Sequence, residues 1–101
     1  CVGSQGHSEH MARTRKMSHD QFPEDICLRT MASSENVGYA TGDATRAIRV
    51  VHKMMMDEGP GDPNHPNHYD NIMNPTYNTV GLGFYYTTDR TLWITENFLR
   101  L

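Results

Sequence analysis

The chain has 101 residues, of which 37% are hydrophobic and 21% are charged, and its formal net charge is −3. This length fits one domain over residues 1–101, and the weakly acidic balance removes the usual electrostatic argument for binding nucleic acid. No apolar run approaches the roughly 18 residues that a membrane-spanning helix needs, so we expect no transmembrane segment.

The first forty residues carry weak secondary-structure signals. Residues 4–16 predict a weak helix, because Met11 and Ala12 can face inward together. Residues 17–34 are typical of an irregular connection, and residues 35–40 predict either a short strand or a turn. We therefore expect little regular structure between the first helix and the middle of the chain.

The strongest helical pattern covers residues 44–58. Asp43 is a suitable N-cap, and Gly59-Pro60 is a suitable stop. Apolar side chains recur at helical spacing in between, namely at Ala44, Ala47, Ile48, Val51, Met54 and Met55. A loop rich in proline, glycine and asparagine is expected after this helix.

A helical turn and a hairpin complete the predicted elements. Asn67 is a suitable cap for a turn of helix over 68–73. Apolar residues then alternate over 79–87 and 91–99, with a turn at 88–90, which predicts two antiparallel strands. Helices that cover a small antiparallel sheet define an α+β fold. An open edge on the last strand would allow pairing with another chain, so the oligomeric state stays open.

Two glycines, Gly81 and Gly83, interrupt the first strand of this hairpin. Glycine inside a strand pattern is typical of a close approach by another backbone, so we expect a neighbouring element to pack directly there. In the second strand, Trp93 is expected to be at least partly buried.

The chain has two cysteines, Cys1 and Cys27, and three interpretations of them stay open at this point. A disulfide would close a loop of about 26 residues and stabilise the fold by about 3 kcal/mol. Two free thiols in a reducing compartment fit the count equally well. A lipid-modified Cys1 is the third interpretation.

Six histidines are many for this length, and neutral imidazole suits both zinc binding and acid–base chemistry. The pairs His7/His10 and His65/His68 have a spacing that, on a helix, can place both rings near one metal. This spacing is a weak signal, and Pro66 disfavours a helix at the second pair. The sequence contains no nucleophile elbow, zinc-protease motif, phosphate loop or Cys-x-x-Cys, so we assign no catalytic residue.

Six short segments, taken in chain order, resemble one known family. They are HSEHMA at 7–12, SH at 18–19, ENV at 35–37, HYDNIMNP at 68–75, TVGLG at 79–83 and WITENF at 93–98. Together they resemble the CAP superfamily of SCP-like domains, named after cysteine-rich secretory proteins, antigen 5 and pathogenesis-related 1 proteins, and especially its bacterial-type branch. The resemblance implies an α-β-α sandwich with a small antiparallel sheet, truncated here at its N-terminus.

The resemblance also implies a cavity lined by two histidines and two acids. His19 and His68 match the family's cavity histidines, and Glu35 matches the glutamate of its GEN motif. Asp57 or Glu58 stands nearest to the fourth group, and we take Glu58 as the candidate. Two imidazoles and a carboxylate suit zinc or another divalent cation, so the implied metal ligands are His19, His68 and Glu35.

Three further positions bear on the resemblance. His7 matches the histidine of the bacterial HSxxMA motif, where a packing, a hydrogen-bonding and a cavity role all stay open. Ser34 stands where the family has the glycine of its GEN motif. Met54–Met56 replace a segment that contains tryptophan in the family.

The resemblance implies a protein that is secreted, or held in the cell envelope, and that acts by binding without catalysis. Lipids, sterols and protein partners are the implied ligands. The alternative is a metal-dependent hydrolase, a protease or esterase, in which a metal activates water and Glu35 serves as ligand or base. The resemblance also favours a disulfide between Cys1 and Cys27.

Overall fold

The structure is a computed structural model that describes residues 1–101. In chain order its elements are α1 (Gly3–Thr14), β1 (Ala32–Thr41), α2 (Ala44–Asp57), α3 (His68–Met73), β2 (Thr79–Tyr86) and β3 (Thr91–Arg100). The strands form one antiparallel sheet in the order β1-β3-β2. The predicted α+β class is confirmed. None of the three helices has the length and apolar composition that crossing a bilayer requires.

β1 is longer than the sequence predicted. It begins at Ala32 and ends at Thr41, whereas the pattern indicated an irregular connection to residue 34 followed by a strand or turn. Its first half is polar and lacks the alternation that marks a half-buried strand. Pairing with β3 along its full length, from Ala32 opposite Arg100 to Thr41 opposite Thr91, holds it in the sheet.

β3 lies in the centre of the sheet, between β1 and β2. The last strand has no open edge, because the polar β1 pairs with it on the side away from the hairpin. The two free edges belong to β1 and β2. The expected burial of Trp93 is confirmed, since this side chain in β3 is 6% exposed.

Helices cover both faces of the sheet, as expected for an α-β-α sandwich. On one face, Met11 and Ala12 of α1 pack with Val37 and Trp93. On the other face, α2 packs against the central strand through a cluster of Ala47, Val51, Met55, Leu92 and Ile94. Because neighbouring residues of a strand point to opposite faces, successive residues of β1 reach different helices.

The predicted ends of α2 and α3 are confirmed to within one residue. The side chain of Asp43 accepts a hydrogen bond from the backbone N–H of Arg46 at the start of α2. At the start of α3, Asn67 and Asp70 form a reciprocal capping box. Both caps satisfy backbone donors that have no partner inside the helix.

α1 packs directly on the backbone of β2, as the glycines predicted. A Cβ atom at Gly83 would overlap the carbonyl group of Ser4. The Ser8 hydroxyl donates a hydrogen bond to the carbonyl oxygen of Gly83 at 2.9 Å. The side-chain amide of Gln5 donates to the carbonyl of Phe84 and accepts from its N–H. The absence of a side chain at position 83 thus sets the distance between helix and sheet.

The opposite face of β2 is open. Val80 and Leu82 are about half exposed, and Phe84 and Tyr86 are 36% and 42% exposed. The reason is that α2 lies over β1 and β3. The alternating apolar residues of β2 therefore contribute less to the core than their pattern suggests.

A disulfide joins Cys1 to Cys27, and this interpretation of the two cysteines is confirmed. Close to it, the backbone N–H of Gly3 donates to the carbonyl of Asp25 at 2.7 Å. The irregular connection between α1 and β1 is thereby fixed against the start of α1.

We expect Gly83→Ala to lower the free energy of unfolding by about 2–3 kcal/mol, because the added methyl group must push α1 off the sheet. Chemical denaturation followed by Trp93 fluorescence measures this loss. Gly81→Ala is the matched control, since its Cβ would meet only the Ser4 hydroxyl, at 3.2 Å. Equal losses in the two variants would contradict direct packing of backbone on backbone.

Candidate functional site

One open cleft at the β1 edge of the sheet is bordered by His19, Glu35, Glu58 and His68. Its volume is about 370 Å³, and its remaining walls are Asn36, Pro66, Asn67 and Asn71. The structure thus brings the four sequence-predicted cavity residues to one place. It also separates the two candidates for the fourth group, because Asp57 instead pairs with Lys53 at 2.8 Å.

The cleft lies at this edge because of the strand alternation of β1. Glu35 pairs in register with Asn97 and faces α1, whereas Asn36 pairs with Glu96 and faces α3. The free edge of β1 therefore carries polar groups to both faces at once. The connection after α1 contributes His19 from one side of this edge.

His19 and Glu35 form the first of two histidine–carboxylate pairs in the cleft. His19 Nδ1 lies 3.0 Å from Glu35 Oε1, and the His19 side chain is 53% exposed. The hydrogen bond to Glu35 raises the pKa of His19 above its usual value, against the effect of partial burial. Burial disfavours ionisation of Glu35, but the hydrogen bonds from His19 and Asn97, together with the neighbouring Asp25 and His7, hold the pKa of Glu35 below its usual value.

Glu58 and His68 form the second pair. One carboxylate oxygen of Glu58 accepts the backbone N–H of His68 at 2.9 Å, and the other lies 2.7 Å from His68 Nδ1. Partial desolvation works against ionisation of Glu58, but the contacts with His68 hold the pKa of Glu58 below its usual value. The same carboxylate therefore stabilises the start of α3 and orients the imidazole.

Asn36 fixes α3 against the sheet. Its side chain is fully buried, and its amide donates to the carbonyl oxygen of His68 at 3.1 Å and to Glu96 at 3.2 Å. Its own oxygen accepts from the side chain of Asn71 at 2.8 Å. These hydrogen bonds fix the position of His68 relative to β1.

Behind Glu35, two further ionisable side chains, His7 and Asp25, are fully buried. His7 Nε2 lies 3.6 Å from Glu35 Oε1, and His7 Nδ1 lies 3.8 Å from Asp25 Oδ2. One ligand atom from each of these three residues lies within 4.8 Å of the others. The group could hold a metal ion, and it differs from the predicted set of His19, His68 and Glu35.

Burial raises the pKa of Asp25 to about 7, and the adjacent, negatively charged carboxylate of Glu35 adds to this effect. No motif in the sequence pointed to Asp25, which lies in an irregular segment. Asn97, which donates to Glu35 at 2.7 Å, lies in the WITENF segment, but that resemblance assigned it no role in the cavity.

In each of the two closely spaced histidine pairs, the two histidines contact different acids. His7 and His10 stack with ring centres 5.9 Å apart, and His10 is directed to Asp20, with Nε2 3.6 Å from its carboxylate. His65 is exposed and lies 3.7 Å from Asp62. Of the roles left open for His7, the structure shows packing and hydrogen bonding, since the ring is fully buried and its Nε2 lies 2.7 Å from the carbonyl oxygen of Ser18.

An apolar pocket of about 310 Å³ adjoins the polar cleft. Glu58 and His68 border both, so the two hollows share a wall. The apolar lining consists of Met17, Val37, Gly38, Tyr39, Val51, Met54 and Met55. Two of the three consecutive methionines of α2 therefore face this pocket, where their flexible side chains can adapt to a ligand.

The layered fold and the cleft at the sheet edge define an α+β domain with a histidine- and acid-lined site. A family model described as "CAP: Cysteine-rich secretory protein family" matches residues 1–98. The chain therefore belongs to the CAP family, in agreement with the six segments that resemble it. Comparisons with curated proteins and with solved structures found no significant match.

The raised pKa of Asp25 predicts that metal-free protein loses stability as the pH rises. The unfolded chain releases this proton near pH 4, whereas the folded protein keeps it until about pH 7. Relative to Asp25→Asn, which cannot ionise, the wild type should therefore lose about 1 kcal/mol per pH unit across this range. Urea denaturation of both proteins in a chelating buffer measures the difference, and parallel pH profiles would contradict the assignment.

Proposed function

We propose that this chain is a single CAP domain of the bacterial-type branch, secreted or held in the cell envelope, that binds an amphipathic ligand without catalysis. One observation carries the proposal: the polar cleft and the apolar pocket meet at Glu58 and His68. Ligand sites typically combine an apolar lining with a few polar groups that fix orientation. A lipid or sterol has both a polar head group, which matches the cleft, and an apolar part, which matches the pocket.

The two halves of the site recognise different parts of such a ligand. The polar head group binds at the cleft, where His19 and His68 present their rings. The apolar part occupies the adjoining pocket beside Met54 and Met55. Because His68 borders both hollows, it marks the point where head group and apolar part join.

The family resemblance implies a divalent cation, zinc among the candidates, in the cleft. Glu35 contacts Nδ1 of His19, and Glu58 contacts Nδ1 of His68. In each neutral ring, Nε2 is therefore free to bind a metal. Carboxylates that orient metal-binding imidazoles in this way are common. His19 and His68 would hold the cation with Glu35 nearby, and it would supply positive charge for an anionic head group.

A binding role has more support than hydrolysis. Glu35, the candidate base, is buried, and its two oxygens are engaged with His19 and Asn97. A general base must reach the proton that it removes, and these contacts leave it little freedom to do so. The disulfide is consistent with placement outside the cell, because such bonds persist mainly in oxidising compartments.

Titration with cis-parinaric acid, a fluorescent fatty acid, tests the proposal, and a fluorescent cholesterol analogue tests the sterol arm. Met54→Glu places a charge in the apolar pocket, and we expect it to weaken binding at least tenfold. The matched control is Met73→Glu, because Met73 is equally exposed, at 54%, but lies outside the pocket. Absence of binding by the wild type, or equal binding by both variants, would overturn the proposal.

A further inference from the structure

Asp25 is a buried acid whose carboxylate lacks a hydrogen-bond donor. The residue is 1% exposed, and neither of its two carboxylate oxygens has a hydrogen-bond partner. Removing a carboxylate from water without a compensating partner is energetically costly. The fold nevertheless directs this group at His7 and Glu35, both of which are also buried.

The orientation of His7 leaves a lone pair facing Asp25. His7 Nε2 lies 2.7 Å from the carbonyl oxygen of Ser18, and since a carbonyl can only accept, Nε2 carries a proton. In the neutral ring Nδ1 is then unprotonated; it can accept from the side-chain amide of Gln21, which lies 3.2 Å away, and it lies 3.8 Å from Asp25 Oδ2. An imidazole nitrogen and two carboxylates, those of Asp25 and Glu35, therefore come close together in the interior.

We propose that His7, Asp25 and Glu35 form a buried site for a divalent transition-metal ion such as Zn²⁺, separate from the cleft. The three ligand atoms lie within 4.8 Å of one another. Ligands bound to zinc at about 2.0–2.2 Å lie roughly 3.3–3.6 Å apart, so a small inward movement completes the site. The bond from His7 Nε2–H to the Ser18 carbonyl is the outer contact that metal-binding histidines usually make.

The ligands come from three separate parts of the chain. His7 lies on α1, Asp25 in the connection that follows it, and Glu35 on β1. A bound ion would tie that connection to both elements, close to the Cys1–Cys27 disulfide. Since the same connection carries His19, the ion would act structurally by holding one wall of the cleft.

Nitrogen NMR of the histidine rings tests the site in the wild-type protein. Chelator-stripped protein is titrated with Zn²⁺ alone, and we expect the His7 ring signals to shift with the first equivalent. Signals of His19 and His68 report separately on the cleft, so failure of the cleft metal is distinguishable from failure of this site. Zinc uptake that shifts only His19 and His68, or no uptake, would overturn the inference.

Variants sharpen the assignment. Asp25→Asn keeps the shape of the side chain and removes its charge, and we expect it to weaken zinc binding at His7 about 100-fold. His68→Asn is the control, because it removes a cleft histidine and should leave the His7 response unchanged. Glu35→Gln does not discriminate, since Glu35 contacts both groups. An unchanged affinity in Asp25→Asn contradicts the site, and if this variant does not fold, the wild-type spectra decide.

Discussion

The carboxylate of Glu35 lies in the first half of β1, and four polar side chains converge on it. Asn97 reaches it from the central strand at 2.7 Å, and His19 reaches it from the cleft at 3.0 Å. His7 and Asp25 approach from the buried side. A buried charge is tolerated only when such partners compensate its lost hydration. The arrangement therefore links sheet, first helix and connection through one acid.

Because β1 lies at the edge of the sheet, the contact between Glu35 and His19 is accessible from the cleft. A central strand would have neighbours on both sides, whereas β1 pairs only with β3. Its alternation sends Glu35 toward α1 and Asn36 toward α3, and each residue anchors one wall of the cleft. Asn36 holds the start of α3 through the His68 carbonyl. The cleft is thus a consequence of polar residues at a free sheet edge.

Local signals in the sequence were sufficient for the helices and the hairpin. Asp43 and Asn67 cap their helices through side-chain hydrogen bonds over three residues, and such short contacts can be recognised from spacing. Gly83 was recognisable as a point of close packing, although its partner on α1 was not. β1 was mostly missed because its polar first half is extended only through pairing with β3, more than fifty residues away.

The sequence by itself determined the α+β class and the ends of α2 and α3. Motif resemblance also pointed to His19, Glu35 and His68, which border one cleft. Only the tertiary structure paired Glu58 with His68, joined Cys1 to Cys27 among the open alternatives, and placed Asp25 beside Glu35. The physical reason is separation along the chain. Caps and hairpins form between near neighbours, whereas the surroundings of a buried acid depend on segments that meet only when the sheet and helices pack.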